Sequence, residues 1–197
     1  MPKGKISQMK KLALVLVVLG AGSLRSEAPL WEDPERNEEN RMPARSWLPA
    51  EGYVESLDGE WDFWWNGSPA ESPDGFWRQD FSTVGWFKID VPSCVETRGW
   101  GVPHYVNVKY PHGKTPPKID PAYNPTMCYR RRFALPETWR GRRIVLRFEG
   151  VASGCEVWLN GKRVGYSEDS RLPAEFDVTP FVSGDAAGEL LAVRVRK

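Results

Sequence analysis

Residues 155–166 read CEVWLNGKRVGY. Cys155, Val157 and Leu159 alternate with other side chains before Asn160-Gly161, and an alternating segment follows that dipeptide. Asn-Gly tolerates the positive φ angles of a type I′ turn, which joins two antiparallel strands. The stretch therefore predicts a β-hairpin.

The same period of two recurs on both sides of this hairpin, and no stretch after the N-terminal segment has a sustained helical period. Alternation of this kind indicates half-buried strands. Several short strands at this spacing predict an all-β sandwich or barrel. The alternating segments are 57–65, 87–91, 129–135, 144–148 and 191–195.

The composition excludes several classes of protein. The chain has 197 residues, of which 41% are hydrophobic and 27% charged, as in soluble globular domains. Its net charge of +1 provides no basic field for a nucleic acid backbone. The 10 Trp, 8 Phe and 6 Tyr provide large apolar areas and flat faces suited to sugar rings.

Residues 1–23 have the pattern of a secretory signal peptide. Four lysines precede the apolar run 12–19, small residues follow at 20–23, and no acidic residue occurs before Glu27. The run is about half the roughly 20 residues that a spanning helix needs, which disfavours a stable membrane anchor. We therefore predict an exported bacterial protein, periplasmic or secreted, that is cleaved near residues 21–23.

The rest of the chain divides into an arm and a domain. Residues 24–53 carry four prolines and predict an extended arm on a surface. Residues 54–197 form the predicted sandwich, in which the proline-rich loop 92–126 is long enough to be functional or packed against something. A strand that runs to Lys197 without a turn suggests a domain that is incomplete at its C-terminus.

The three cysteines, Cys94, Cys128 and Cys155, have no C-x-x-C spacing, and only two histidines accompany them. A structural metal site is not expected. We interpret all three as small buried apolar groups. One disulfide plus one free thiol is the alternative.

In six short stretches of its sequence, the chain resembles the N-terminal sugar-binding, jelly-roll domain of the large β-galactosidases of glycoside hydrolase family 2. The match is collinear from Trp31 to Lys197. The order and spacing of the segments are more specific than any one of them. They are WEDP (31–34), LDGEW (57–61), YVNVKYP (105–111), NPTMCY (124–129), WLNG (158–161) and VGYSEDSRLPAEFD (164–177).

This resemblance implies an antiparallel, galactose-binding-domain-like jelly roll that precedes immunoglobulin-like domains and a TIM barrel. In the family the barrel supplies the two catalytic glutamates, so this chain alone is expected to be inactive. Family members often use Mg and Na ions, whose ligands lie mostly outside this chain, and we expect no cofactor here. The implied partners are a β-galactoside sugar, the downstream domains of the same polypeptide and other copies of the full-length enzyme.

The resemblance also implies one substrate-binding residue, Asn107, which aligns with the family asparagine that reaches the galactose subsite. An amide both donates to and accepts from sugar hydroxyls. Val106 and Val108 would face the other side of an extended segment, so that Asn107 projects outward. The alternative is an Asn that satisfies loop backbone groups, as is usual in loops.

Two other functions fit the same pattern. One is a stand-alone carbohydrate-binding module in which Trp100 and Tyr105 form a stacking platform for a sugar ring. The alternative for these residues is that they pack the loop onto its own sandwich or a neighbouring domain. The other is a structural domain that mediates subunit assembly through the arm. Two charged groups are interpreted as structural: residues 130–132 (three Arg) as solvated or salt-bridged, and Asp169, Arg171 and Glu175 as fixing a turn.

Overall fold

The computed structural model describes residues 28–46, 52–103, 107, 112–113, 115–185 and 187–197. The predicted signal peptide and Tyr105 lie outside these ranges. Within them the chain forms nine β-strands and short 3-10 turns but no α-helix, which confirms the all-β prediction. The strands are β1 (Glu38–Glu39), β2 (Gly59–Asn66), β3 (Phe87–Val91), β4 (Thr126–Phe133), β5 (Val145–Phe148), β6 (Gly154–Leu159), β7 (Lys162–Ser167), β8 (Ala174–Asp177) and β9 (Glu189–Arg196).

Seven strands form one antiparallel sheet in the order β1-β7-β6-β9-β4-β2-β3. Each alternating segment of the sequence corresponds to a strand of the fold. The predicted hairpin is β6–β7, and its turn has positive φ at Asn160 (53°) and Gly161 (82°). The turn chemistry of this dipeptide therefore sets the register of the pairs beside the turn, up to the irregularity between Val157 and Trp158.

The second layer is the two-stranded sheet β5–β8. Strand β8 corrects the sequence prediction, which placed Glu175 in a turn. Glu175 lies inside β8 and is buried, and its carboxylate accepts from Arg45 Nε (2.6 Å) and Arg147 Nη1 (2.9 Å). Two guanidinium groups allow a buried carboxylate here.

Asp169 does fix a turn, because its Oδ1 accepts from the backbone N–H groups of Arg171 and Leu172.

The described part of the arm joins both sheets. Its strand β1 pairs with β7 at one edge of the large sheet, and the Met42 N–H donates to the Glu175 carbonyl of β8 (2.8 Å). Nearer the N-terminus of the arm, the ring centroid of Trp31 lies 3.7 Å from the guanidinium of Arg196. The arm is therefore part of the sandwich as well as a strap on its surface.

Both faces of the large sheet carry packed clusters of side chains. Trp61, Phe63, Met127 and Val193 face the inner core, which packs against β5 and β8. The outer face carries a separate aromatic cluster built on residues 76–86, strand β6 and strand β9. Its members are Phe76, Cys128, Trp158 and Ala192, with Trp64, Trp77, Phe81 and Trp86 packed around them.

Two predictions about single side chains were wrong. Arg130 is only 5% exposed and forms no ion pair within 4 Å among the described residues; it donates to the carbonyl oxygens of Phe81 (2.7 Å) and Arg78 (3.0 Å), because residues 78–81 fold over this part of the outer face. Cys94 is exposed, since it precedes the 3-10 helix Val95–Arg98 whose Val95 takes the core position.

Cys128 and Cys155 are buried as predicted, and all three thiols are free, so the alternative with one disulfide is not found. Burial raises the pKa of the Cys155 thiol to about 12, and burial also raises that of Cys128. These two side chains therefore act as small apolar groups.

Candidate functional site

The predicted sugar contact, Asn107, lies exposed in a turn of the long loop. Its neighbours 104–106 and 108–111 are outside the described residues, and with them Tyr105. An exposed turn leaves the amide accessible to a ligand. The assignment of Asn107 to the sugar remains a prediction.

The start of this loop is held by aromatic packing. Trp100 contacts Phe87 (ring centroids 4.5 Å apart), Phe63 (5.4 Å) and Trp65 (6.5 Å). Gly101 has a φ of 70°, and a Cβ there would lie 3.3 Å from the Trp65 ring, so glycine allows the loop to pass closely. Trp100 therefore packs the loop onto its own sandwich, as the simpler of the two interpretations predicts.

Two buried amides lie where the loop rejoins the sheet, and sequence reasoning missed them. Asn124 is 1% exposed, and Asn66 at the end of β2 is also buried. Neither side chain has a hydrogen-bond partner among the described residues, although the Asn124 backbone N–H donates to Gly67 (2.8 Å). A buried amide normally has a partner. The sequence around Asn124 was quoted for the family resemblance and carries no local signal of burial.

A large cavity lies between the two sheets and has a volume of about 1360 Å³. Its floor is the inner face of the large sheet, and its walls are residues 53–58, 91–96 and 142–152. The side chains of the floor are apolar, whereas the rim carries charges of both signs. The floor residues include Trp61, Met127, Tyr129, Val193 and Val195, and the rim includes Glu55, Asp58, Glu96, Arg142 and Arg143.

Burial shifts the ionisation of two side chains that line this cavity. Desolvation raises the pKa of the Tyr129 hydroxyl far above its ordinary value. Lys197, which pairs with Glu96 at the rim, has its pKa lowered by burial. The floor of the cavity is mainly apolar, and its charged groups lie at the rim.

A smaller cavity of about 310 Å³ lies between the arm and β8. Arg45 and Arg147 line it, but both guanidiniums are already bound to Glu175, and Arg147 also binds Glu149 (2.7 Å). The charged groups that line this cavity are thus already paired with carboxylates of the chain.

The most concentrated charge cluster lies on the outer face around Glu156. The Glu156 carboxylate accepts from Arg163 (3.0 Å) and Arg196, and Arg194 lies at 3.5 Å. Burial opposes ionisation of this group, but the arginines outweigh it and hold the Glu156 pKa below its ordinary value. Arg194 in turn lies 5.1 to 5.5 Å from the ring centroids of Phe76, Trp77 and Trp158. Arg163 also pairs with Glu39 of the arm (2.9 Å), so the cluster joins the arm to the outer face of the sheet.

Neither a metal centre nor a membrane helix is found in the part of the chain that the structure describes. No three His, Cys, Asp or Glu side chains come together there in a way that would hold an ion. Among the same residues, no helix has the length and apolarity to cross a bilayer.

Residues 54–197 match the family model described as the sugar-binding domain of glycosyl hydrolases family 2. The chain is 36% identical over 192 residues to the β-galactosidase large subunit of Leuconostoc lactis, covering 84% of this chain and 30% of that protein. It is 43% identical over 130 residues to the β-galactosidase of Psychromonas ingrahamii, covering 66% of this chain and 12% of that one. The chain thus spans less than a third of the length of these relatives.

Among solved structures, a β-glucuronidase from Ruminococcus gnavus superposes with a TM-score of 0.56 at 20% identity, over 77% of this chain and 23% of its own. A β-glucuronidase from an uncultured Clostridium superposes with a TM-score of 0.54 at 23% identity, over 76% of this chain and 24% of its own. At these identities the similarity concerns the fold alone.

Proposed function

We propose that this chain, which belongs to the sugar-binding domain family of glycosyl hydrolases family 2, serves as the non-catalytic N-terminal domain of an exported β-galactosidase. The resemblance seen in its sequence segments is thus correct at the level of the family. One observation carries the proposal: β-galactosidases are 36% and 43% identical to the chain, yet it spans only 30% and 12% of their lengths. The remainder of such an enzyme would hold the catalytic groups.

The buried carboxylates support a non-catalytic role. A retaining glycosidase needs two carboxyl groups about 5 to 5.5 Å apart and accessible to the glycosidic bond. Glu156 and Glu175 are each bound by arginines. Glu189 accepts from the backbone N–H groups of Ser183 and Gly184, both at 2.9 Å. These three groups are committed to the fold.

In the proposed enzyme this domain shapes the sugar site and contributes the Asn107 amide to it. Trp100 and the tight turn at Gly101 hold the start of this loop on the sandwich, which supports a defined path for the loop that contains Asn107. One hydrogen bond to a hydroxyl is worth about 0.5–1.5 kcal/mol. Its loss would therefore lower kcat/KM by roughly 2- to 12-fold.

The experiment replaces the matched stretch of the Leuconostoc lactis large subunit with this chain and measures hydrolysis of a chromogenic β-galactoside, with any second subunit of that enzyme supplied. We expect turnover by the chimera and none by the isolated chain. Asn107→Ala should lower kcat/KM of the chimera, and Asn37→Ala, an exposed asparagine on the arm, should leave it unchanged. Hydrolysis by the chain alone would refute the non-catalytic role, and an unchanged kcat/KM in Asn107→Ala would refute the sugar contact.

Export is proposed from residues 1–23 and has its own test. Protein recovered from its native host should begin near residues 21–23, because a signal peptidase removes the apolar segment. N-terminal sequencing measures this directly, and a native product that begins at Met1 would contradict export.

The carbohydrate-binding module remains the alternative function. The packing of Trp100 argues against the stacking platform, because its ring contacts Phe63, Phe87 and Trp65. Calorimetry of the isolated chain with galactose and lactose separates the two functions. Heat of binding at millimolar sugar favours the module, and its absence favours a domain that meets sugar only in the assembled enzyme.

A further inference from the structure

Strand β3 lies at one end of the large sheet. It pairs with β2 on one side, and in the part of the chain that the structure describes no strand pairs with its other side. Within the same part, no backbone hydrogen bond joins residues 87–91 to a segment other than β2. An open edge of this kind is a template to which another strand can add main-chain hydrogen bonds.

The side chains of β3 differ between the two faces of the sheet. Ile89 belongs to the inner core and Val91 packs against it. Phe87 lies on the same face, because alternate residues of a strand share one, and it is half-exposed. Lys88 and Asp90 are on the outer face, and both side chains are mostly exposed. The open edge therefore has an apolar side and a charged side.

The sequence of β3, FKIDV (87–91), is complementary to itself when two copies run antiparallel. With a two-fold axis at Ile89, Phe87 of each copy lies opposite Val91 of the other, and Lys88 lies opposite Asp90. Opposite residues have Cβ atoms about 4.5–5.5 Å apart, so apolar side chains meet on one face and opposite charges on the other. Each pair occurs twice, because the interface is isologous.

The two charges also select the register. A shift by two residues in one direction places Lys88 opposite Lys88, and a shift in the other direction places Asp90 opposite Asp90. Like charges directly opposite each other are destabilising. A lysine on an edge strand normally discourages pairing. Here it discourages the shifted registers and favours the symmetric one, in which Asp90 faces it.

Asp90 has a poor electrostatic complement within its own chain. The residue directly opposite on β2 is Glu60, which carries a like charge. Lys88 is engaged with Asp62 (2.7 Å) and Glu60 (3.5 Å), and Arg98 approaches Asp90 only to 3.7 Å. Lys88 of a second copy provides the missing positive charge from the open side of the strand.

We propose that β3 is a self-association surface, through which two copies of this chain pair antiparallel about Ile89 and join their large sheets into one. The occupant is a second copy rather than an unrelated strand, because the charges are complementary to themselves in one register. The strand has five residues, so its main-chain hydrogen bonds are few and we expect a weak dimer, micromolar to millimolar. The inference is independent of the proposed function, because it uses only β3 and its neighbours.

The test follows the association of the whole chain by sedimentation equilibrium at increasing concentration. Asp90→Lys is the probing variant, because it places a lysine opposite Lys88 of the other copy. Within the chain it replaces the like pair with Glu60 by an opposite pair, so the fold is retained. Asp80→Lys is the control, since it makes the same change of charge at a largely exposed aspartate outside β3 that is also paired with an arginine.

Lys88→Asp provides a reciprocal test. Alone, this variant has two aspartates on the outer face of β3 and should not pair with itself. Mixed with Asp90→Lys, which has two lysines there, it should form a heterodimer, because every opposite pair again has opposite charges. Lys88→Asp loses its contacts with Asp62 and Glu60, so its thermal melt is compared with the parent's first. If it is unstable, Asp90→Lys decides the question by itself.

We expect the parent and Asp80→Lys to dimerise alike, and Asp90→Lys to dimerise roughly tenfold or more weakly, because two symmetric pairs change from attraction to repulsion. The amides of residues 87–91 should gain protection from hydrogen exchange as the concentration rises. The inference is overturned if the parent stays monomeric at millimolar concentration, if Asp90→Lys associates as the parent does, or if the protection falls on residues 53–58 instead. A mixture of the two folded variants that stays monomeric overturns it as well.

Discussion

The two faces of the large sheet are built in opposite ways. The outer face carries arginines, carboxylates and stacked indoles, among them Trp77 and Trp158 with ring centroids 5.0 Å apart, under a cover made of residues 76–86 and the arm. The inner face is apolar, and part of it borders the large cavity. Where the chain supplies its own cover it tolerates buried charge, because each charged group finds partners. Where the described cover is partial, the exposed surface is apolar and available for association.

Because the outer aromatic cluster is closely packed, removing the ring at its centre should cause the largest loss of stability. Phe76 is fully buried and contacts Trp77, Trp86 and Trp158. Phe76→Ala should lower the free energy of unfolding by about 3–5 kcal/mol, measured by urea denaturation. Phe87→Ala, at a half-exposed phenylalanine on edge strand β3, is the control and should cost clearly less. Equal losses for the two variants would show that the outer cluster is loosely packed.

The Glu156 cluster provides the next test. Glu156→Gln leaves Arg163, Arg194 and Arg196 without their shared carboxylate, and breaking such a buried pair costs about 3 kcal/mol or more. Glu149→Gln, which removes a largely exposed partner of Arg147, should cost about 1 kcal/mol or less.

The same cluster predicts that the free energy of unfolding depends on pH. Because the folded pKa of Glu156 is depressed below its ordinary 4.5, its contribution is present above that value and is lost as the pH falls through the folded pKa. Unfolding free energies measured from pH 7 downward should fall below about pH 4.5 and fall less steeply in Glu156→Gln. Parallel curves for the two proteins would mean that other carboxylates dominate, such as Glu175 and Glu189, whose pKa values are lowered too.

The smallest expected effect distinguishes the two faces most directly. Ala192 is buried in the outer cluster, and Val195, three residues along the same strand, lines the cavity. Ala192→Leu should overpack and cost about 1–3 kcal/mol. Val195→Leu should change the free energy of unfolding by less than about 0.5 kcal/mol, because the added methylene enters existing space. Equal costs in urea denaturation would mean that the cavity is closed in solution.

Much of the architecture was predictable from the sequence, because strands are marked by a local period. The segments 57–65, 87–91 and 144–148 correspond to β2, β3 and β5, and Asn160-Gly161 forms the turn that its chemistry predicts. Strand β8 escaped detection because Glu175 has the polarity of a turn residue.

The candidate site was only partly predictable. The resemblance identified Asn107, and the structure describes it as exposed in a turn, which does not test its role. The buried amides of Asn66 and Asn124 were missed, since an asparagine has the same local signature whether it is solvated or buried. The exposure of Cys94 was missed for a related reason, because a neighbour, Val95, took the core position.

By itself, the sequence determined most of the strands, where the β6–β7 hairpin turns and to which family the chain belongs, because these depend on side-chain alternation and on residues close together along the chain. Only the tertiary structure decided that Arg130 is capped by carbonyl oxygens, that Glu156 gathers three arginines, and that one face of the sheet carries a packed aromatic cluster while the other borders a cavity. The physical reason is that burial and the pairing of charges depend on segments far apart in sequence.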